Sequence, residues 1–125
     1  MKFNKVKDSG KRQSFKTGAV RDIQTGKGRY DLLPPRAIRR LAEHYENGAV
    51  KYGDRNWEQG IPLSRMLDSA IRHLFKALEG QTDEDHLIAS AWNILGIIEL
   101  QERIEEGTLP KNLDNLPKLK IKNGK

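Results

Sequence analysis

The sequence predicts an all-α protein, a helical bundle completed by oligomerisation. Three segments carry apolar residues at helical spacing, and proline or glycine bounds each of them. Most apolar residues lie between Leu32 and Leu100. A core-forming segment this short buries little surface and often gains stability by association, so we expect a homo-oligomer, a dimer or a tetramer. The absence of cysteine excludes a disulfide framework and a thiolate metal site.

Both ends of the chain are basic. The net charge is +6, and lysine and arginine crowd residues 1–20 and 111–125. We therefore divide the chain into a flexible basic N-terminal tail (1–20), a helical domain (21–107) and a basic C-terminal tail (108–125). Such tails either bind a polyanion, for example nucleic acid, or are simply solvated. No run approaches about 18 apolar residues and no signal-like segment is present, so we expect a soluble cytoplasmic protein without a membrane partner.

The first helix is predicted to begin near Pro35, because proline suits the first helical turn. Apolar residues then recur on one face until Tyr45, and Gly48 is expected to end the helix. Glu43 and Glu46 lie three residues apart in the predicted last turn and share a face. Two carboxylates oppose the helix dipole there, so a bound cation would stabilise them. The alternative is a pair of solvated glutamates.

A polar loop is predicted from residue 49 to residue 61. It contains Lys51, which can hold phosphate, and Tyr52 and Trp57, which can stack on a base. Loops held by rigid elements often carry function. Alternatively, these two aromatic residues cover the edge of the core.

The second helix is predicted from about Pro62 or Leu63 to Glu79, with Gly80 closing it. Its apolar stripe is nearly complete, and polar residues occupy the other side. Asp68 and Arg72 are spaced for an ordinary helical ion pair. His73 is a candidate general acid or base, a phosphate ligand or a surface residue.

The third helix is predicted to begin at Thr82 or Asp83, with Thr82 as the cap, and to run to about Glu106. It is apolar almost all round, which indicates burial between two sets of neighbours. One polar line crosses it, formed by His86, Ser90 and Asn93. This line is either part of a ligand site or a hydrogen-bonded network that fixes helix register.

Acidic residues on facing helices are a known way to hold divalent ions inside bundles. Glu43 and Glu46 could meet Asp85, and Glu84 beside it, from the third helix. Oxygen ligands of this kind suit Mg²⁺ or Mn²⁺. With lysine, arginine and histidine nearby, such an ion suits a nucleoside triphosphate, whose phosphate charge it neutralises.

Four motifs in a fixed order carry a family resemblance. They are RYDLLPP at 29–35, GAVKYGDRNWEQG at 48–60, Asp68 with RHL at 72–74, and EDHL at 84–87 leading to AWN at 91–93. Over about residues 18–105 the chain resembles the phage-type dATP/dGTP diphosphohydrolase N-terminal-domain family, which is related to the all-α MazG-like nucleotide pyrophosphohydrolases. The resemblance implies a MazG-like bundle, in the cytoplasm of the host cell if phage-encoded. It also implies that a purine deoxynucleoside triphosphate is hydrolysed to the monophosphate and pyrophosphate with Mg²⁺ or Mn²⁺.

The resemblance also implies roles for single residues. MazG-like enzymes bind metal through Glu-x-x-Glu on one helix and Glu-x-x-Asp on a later one; Glu43 and Glu46 fit the first motif and Asp85 the last acid. Thr82 stands where the remaining glutamate belongs, so Glu84 or Asp68 would have to substitute. The expected catalytic residues are Glu43, Glu46, Asp85 and His73. The expected nucleotide-binding residues are Lys51, Tyr52, Asn56, Trp57, Arg72, His73, His86 and Asn93.

Two other functions remain open at this point. The chain could be a nucleic-acid-binding accessory protein acting through its basic tails, which predicts salt-sensitive DNA binding. It could also be a nucleotide-binding module that does not cleave its ligand, since one acid of the metal motif is missing. Binding without turnover would distinguish this module from the hydrolase.

Overall fold

A computed structural model describes residues 6–120 of the chain. It contains two compact units, which divide after Pro34. The first described unit holds a small antiparallel sheet of β1 (Arg12–Ser14) and β2 (Val20–Asp22). Three helices make up the second unit: α1 (Pro35–Tyr52), α2 (Leu63–Leu78) and α3 (His86–Glu105). The predicted all-α class therefore holds for the second unit, whereas the sheet was not predicted.

The sheet lies where a flexible tail was expected. Arg12 pairs with Asp22 across the two strands, and Gly18 turns the chain between them with φ of 91°. The Asp22 carboxylate accepts hydrogen bonds from Lys27 and Ser9, which hold its pKa well below the usual range. Residues 1–5 of the predicted tail lie outside the described residues. Tyr30–Leu32 adds a short 3-10 turn to this unit.

Helix α1 begins at Pro35 as predicted but does not end at Gly48. It continues for another turn to Tyr52, and Gly53 then takes φ of 90° and donates its N–H to the Ala49 carbonyl. Gly53 is therefore the glycine that terminates the helix. An interior glycine weakens a helix by only about 1 kcal/mol, which packing offsets. The first part of the predicted 49–61 loop is thus helical, and a 3-10 turn follows at Asn56–Gln59.

Helices α2 and α3 have well-defined ends. After α2, Gly80 donates to the Ala77 carbonyl and Gln81 to the Lys76 carbonyl, the double closure made possible by a left-handed glycine. Helix α3 begins at His86, later than predicted. Asp85, not Thr82, is its cap, because the Asp85 carboxylate accepts the N–H of Ile88.

The core lies between α2 and α3. Its cluster of buried apolar residues consists of Leu63, Met66, Ile97, Leu100 and Ile104. Gly96 allows the Met66 side chain to lie directly against α3, since a β-carbon at Gly96 would overlap the Met66 methyl group. Helix α1 packs on α3, where Tyr45 and Trp92 meet.

The segment after α3 completes this core. Leu109, Leu113 and Leu116 pack against it, with a 3-10 turn at Lys111–Leu113. The Asn115 side-chain oxygen accepts the N–H of Ser64 in the first turn of α2, where the preceding Pro62 has no side chain that can cap. Much of the predicted C-terminal tail therefore packs on the helices; residues 121–125 lie outside the described part.

Parts of α2 and α3 expose large apolar side chains. On α2 these residues share one face and are Ile71, Leu74, Phe75 and Leu78. On α3 the corresponding residues are Leu87, Ile94, Leu95 and Ile98. The composition of α3 predicted that it is buried between two sets of neighbours. Within one chain, however, part of its surface is exposed. Over residues 6–120 no helix combines the length and apolar character that a membrane crossing requires.

Candidate functional site

Two neighbouring cavities lie beside α1, α2 and α3. The first has a volume of about 340 Å³ and aromatic walls, and the second has a volume of about 630 Å³ and cationic walls. Both are lined by six common residues: Gly48, Tyr52, Arg65, Ser69, Trp92 and Asn93. The two cavities are therefore adjacent, and these six residues form the wall that they share.

The aromatic cavity is lined by four aromatic side chains. Tyr45 and Trp92 pack with their ring centroids 5.9 Å apart, and Tyr52 and Trp57 also line it. Outside the cavity the Arg103 guanidinium lies 4.9 Å from the Trp57 ring centroid, which holds this indole in place. Aromatic side chains that are packed in this way offer stacking surfaces for a base.

Asn56 and Arg55 lie at the edge of the aromatic cavity. The 3-10 turn that begins at Asn56 follows Arg55, which has φ of 57° and is the one non-glycine residue with positive φ in the described chain. This left-handed conformation turns the chain from α1 toward α2. It thereby brings Asn56 and Trp57, both predicted from the sequence, to the site.

The cationic cavity is lined by Lys51, Arg65, Arg72 and Lys76, with His44 and His73 beside them. Its acidic lining residues are Glu84 and Asp85. The Arg40 guanidinium donates to both oxygens of the Asp85 carboxylate, at 2.6 to 3.0 Å, so this charge is already compensated. Those hydrogen bonds also lower the pKa of Asp85. The surplus of positive charge suits phosphate groups.

A chain of three side chains crosses from α3 to α2 beside the cationic cavity. The Asp83 carboxylate lies 2.8 Å from Nε2 of the buried His86, whose Nδ1 lies 2.9 Å from Nδ1 of His73. In the neutral His86 ring, Nε2 donates to the carboxylate and Nδ1 accepts from His73. His73 then keeps a free lone pair on Nε2. Burial lowers the pKa of His73, which favours this neutral form.

The polar line along α3 serves two purposes. Ser90 is 1% exposed and donates to the Ala70 carbonyl at 2.9 Å, a contact that fixes the register of α3 on α2. Asn93 is also buried, but it lines both cavities and its amide nitrogen donates to the Ala89 carbonyl at 2.9 Å. His86 belongs to the histidine chain.

Of the five predicted metal ligands, the structure brings only Glu84 and Asp85 to the cationic cavity. Glu43 and Glu46 are exposed and line neither cavity, and Asp68 lies near Arg65 and Arg72 on the surface. Asp85 is held by Arg40 from α1 and by the N–H of Ile88. In residues 6–120 the one close group of three ligand-type side chains consists of Asp83, Glu84 and His86.

Sequence reasoning did not assign site roles to Arg65, Ser69 and Lys76, or to Trp92 and Gly48. A signal was available for the first three, because Arg65, Ser69, Arg72 and Lys76 recur at helical spacing on one face of α2. Trp92 was counted as core because it lies in an apolar helix. Gly48 was counted as a helix end.

The fold and the cavities define a helical domain whose site suits an aromatic ring joined to phosphates. The family model described as dATP/dGTP diphosphohydrolase, N-terminal, matches residues 17–108, and the chain belongs to this family. This match confirms the resemblance found in the sequence. A search of curated proteins and a search of solved structures each returned no match.

Proposed function

We propose that the domain hydrolyses a purine deoxynucleoside triphosphate, dATP or dGTP, to the monophosphate and pyrophosphate. The observation that carries the proposal is the aromatic cavity that meets a cationic cavity along a shared wall. A purine lies against the aromatic walls, the deoxyribose crosses the shared wall, and the phosphates lie among the cations. The family description names the same two nucleotides.

The reaction needs a positioned water molecule and a proton acceptor. Water attacks the α-phosphorus, the bond to the bridging oxygen of the β-phosphate breaks, and pyrophosphate leaves. Lys51, Arg72 and Lys76 hold the phosphates, and Nε2 of His73 accepts the proton of the water. His86 and Asp83 keep that nitrogen in the accepting tautomer.

We include Mg²⁺ or Mn²⁺ in the proposal. The cavity fits an ion that arrives with the triphosphate, because Glu84 offers an exposed carboxylate that forms no ion pair among the described residues. Such an ion neutralises phosphate charge and lowers the pKa of a bound water. A resident shell of Glu43, Glu46 and Asp85, as in MazG-like enzymes, would first require Asp85 to leave Arg40.

Two variants distinguish these metal arrangements. With the ion on Glu84, Glu84→Gln raises the Mg²⁺ concentration needed for half-maximal hydrolysis, whereas Glu46→Gln leaves it unchanged. Titration of Mg²⁺ in a hydrolysis assay measures both. If Glu46→Gln raises the Mg²⁺ requirement and Glu84→Gln does not, the ion lies at the Glu-x-x-Glu motif instead.

Product analysis tests the proposal as a whole. The protein is incubated with each canonical nucleoside triphosphate, with Mg²⁺ or Mn²⁺ and again with EDTA, and the products are separated by chromatography. We expect dATP or dGTP to give monophosphate and pyrophosphate, and EDTA to stop the reaction. Intact nucleotides throughout would refute the hydrolase, and binding without turnover would instead establish a nucleotide-binding module.

We also propose that a second copy of the chain covers the exposed apolar residues of α2. Ile71, Leu74, Phe75 and Leu78 are 45%, 46%, 60% and 81% exposed on one helical face. A contiguous apolar face of this kind marks an interaction surface. Association of two copies would also supply the burial that a small core lacks.

A further inference from the structure

The amide of Asn93 is held in one orientation at the wall shared by the two cavities. Its Nδ2 donates to the Ala89 carbonyl at 2.9 Å and lies 3.4 Å from the Ser69 hydroxyl oxygen. A backbone carbonyl can only accept, so the nitrogen, and not the oxygen, must face Ala89. Both hydrogens of the amide are therefore used within the protein.

The Asn93 side-chain oxygen is left as an acceptor. No donor among the described residues hydrogen-bonds to this oxygen. Because every fully buried side-chain polar atom in the described chain has a partner, this oxygen must be accessible, and a ligand or water can reach it. Asn93 itself is only 7% exposed and lines both cavities, so the accessible side of this oxygen faces the site. The site thus presents a fixed hydrogen-bond acceptor at the wall that the two cavities share.

Ser69 supplies the complementary group. Its oxygen accepts from Arg72 Nη2 at 3.2 Å and from Asn93 Nδ2, so both lone pairs are used and the hydroxyl hydrogen is free to donate. Ser69 also lines both cavities. One fixed acceptor beside one free donor matches a hydroxyl group, which donates and accepts at once.

We propose that Asn93 and Ser69 bind the 3′-hydroxyl of the substrate sugar and so select nucleotides that carry it. The inference rests on the proposed function, because a base in the aromatic cavity and phosphates in the cationic cavity bring the sugar to this shared wall. In a deoxynucleotide the 3′-hydroxyl is the one hydroxyl that the sugar offers. An analogue without it leaves the Asn93 oxygen and the Ser69 hydroxyl unpaired.

The test compares dATP with 2′,3′-dideoxy-ATP, and dGTP with its dideoxy analogue. We expect the full chain to prefer the 3′-hydroxyl by about tenfold or more in kcat/KM, the effect of two hydrogen bonds left unmade. Asn93→Ala and Ser69→Ala weaken the reaction of the deoxynucleotide and bring the ratio toward one. Asn47→Ala, a matched change at a residue that lines the cationic cavity alone, keeps the ratio.

Dissociation constants of the deoxy and dideoxy nucleotides, measured in EDTA by calorimetry, test the same preference without turnover. The inference is therefore tested even if the protein binds nucleotides without cleaving them. Equal affinity and equal hydrolysis of deoxy and dideoxy nucleotides would overturn it while leaving the hydrolase intact. If no nucleotide is hydrolysed but deoxynucleotides still bind more tightly than dideoxynucleotides, the proposed hydrolase activity is overturned instead. Ser69→Ala, at a partly exposed position, serves if Asn93→Ala does not fold.

Discussion

Two histidines in direct contact form the most unusual arrangement at the residue scale. His86 is 3% exposed and lies between a carboxylate and His73, so its two ring nitrogens are both engaged. Such a chain fixes one tautomer and orients the last ring. At His73 this orientation leaves Nε2 free to accept a hydrogen bond, whereas at His86 neither ring nitrogen is free. The sequence made His73 a candidate general acid or base and His86 a candidate nucleotide-binding residue, but its spacing could not show that the two rings are in contact.

The His73→Gln variant tests the proton-acceptor role. We expect hydrolysis to fall by about 10²- to 10⁴-fold, the usual contribution of a positioned base, with little change in nucleotide affinity. Rates are measured at saturating nucleotide and affinity by calorimetry. His44→Gln is the matched control, since His44 also lines the cationic cavity but lies outside the histidine chain. A full rate in His73→Gln would exclude this residue as the base.

The lowered pKa of His73 also predicts pH dependence. The unfolded chain protonates this ring near pH 6.5, whereas the folded protein, in which burial lowers the pKa, does so at lower pH. The contribution of neutral His73 to stability is therefore present above about pH 6.5 and is lost as the pH falls through the folded pKa. Urea unfolding of wild type and His73→Gln across this range measures the difference. Identical pH profiles would contradict the prediction.

Gly48 shows how function can oppose stability at one residue. It lies inside α1 and lines both cavities, and beyond its own helix backbone and chain neighbours no atom lies within 4 Å of the position where a β-carbon would be. Gly48→Ala should raise the free energy of unfolding by about 0.5–1 kcal/mol, because alanine is the better helix former. The added methyl group reduces the space in the cavities beside the shared wall, so nucleotide affinity should fall. Denaturant titration and calorimetry measure the two effects, and an unchanged affinity would show that the ligand does not approach this residue.

At the scale of elements, the ends of the helices decide which side chains can meet. Apolar periodicity predicted all three helices, because each buries a regular face. It could not predict that α1 passes through Gly48, since local propensity there is outweighed by packing on α3. The extra turn brings Tyr52 and Lys51 onto a helix, with the Lys51 ammonium 5.0 Å from the Tyr52 ring centroid. Two residues expected on a loop are therefore held by a rigid element.

The sequence could not show how the predicted metal ligands are arranged, for a related reason. The spacing of Glu43 and Glu46 shows that they share a helical face, but not which neighbour that face meets. Arg40, one turn earlier on α1, is the residue that reaches Asp85. Because Arg40 uses both oxygens of that carboxylate, Asp85 connects α1 to α3 and caps α3 at the same time.

Variants at Asp85 separate its two structural roles. Asp85→Ala removes the cap and the ion pair, and should lower the free energy of unfolding by about 1 kcal/mol from the cap alone. Asp85→Asn keeps a capping oxygen but loses the charge, so it should destabilise less. Arg40→Ala keeps the cap and should lower the free energy of unfolding only slightly, because the ion pair is partly solvated. Thermal unfolding ranks the three; equal losses would contradict two separable roles.

At the scale of the whole molecule, a single chain leaves much apolar surface in water. Phe75→Glu places a charge within the exposed face of α2, and we expect it to convert an oligomer into a monomer. Light scattering coupled to size exclusion measures the mass. Val50→Glu is the matched control, because Val50 is an equally apolar residue, 88% exposed, on α1. A wild-type monomer, or no change in Phe75→Glu, would contradict the proposed second copy.

The packing of residues 109–116 means that the folding unit is longer than the segment by which the family is recognised. The family match ends at residue 108, yet Leu109, Leu113 and Leu116 belong to the core, and Asn115 caps α2. At Gly60, where φ of 99° disfavours a larger residue, a β-carbon would lie 2.7 Å from Leu113 Cδ1, so a substitution there would also displace the Leu113 side chain. A fragment cut at the family boundary would uncover part of the core cluster and remove the cap of the first turn of α2. Truncations for biochemical work should therefore retain the chain through Leu116.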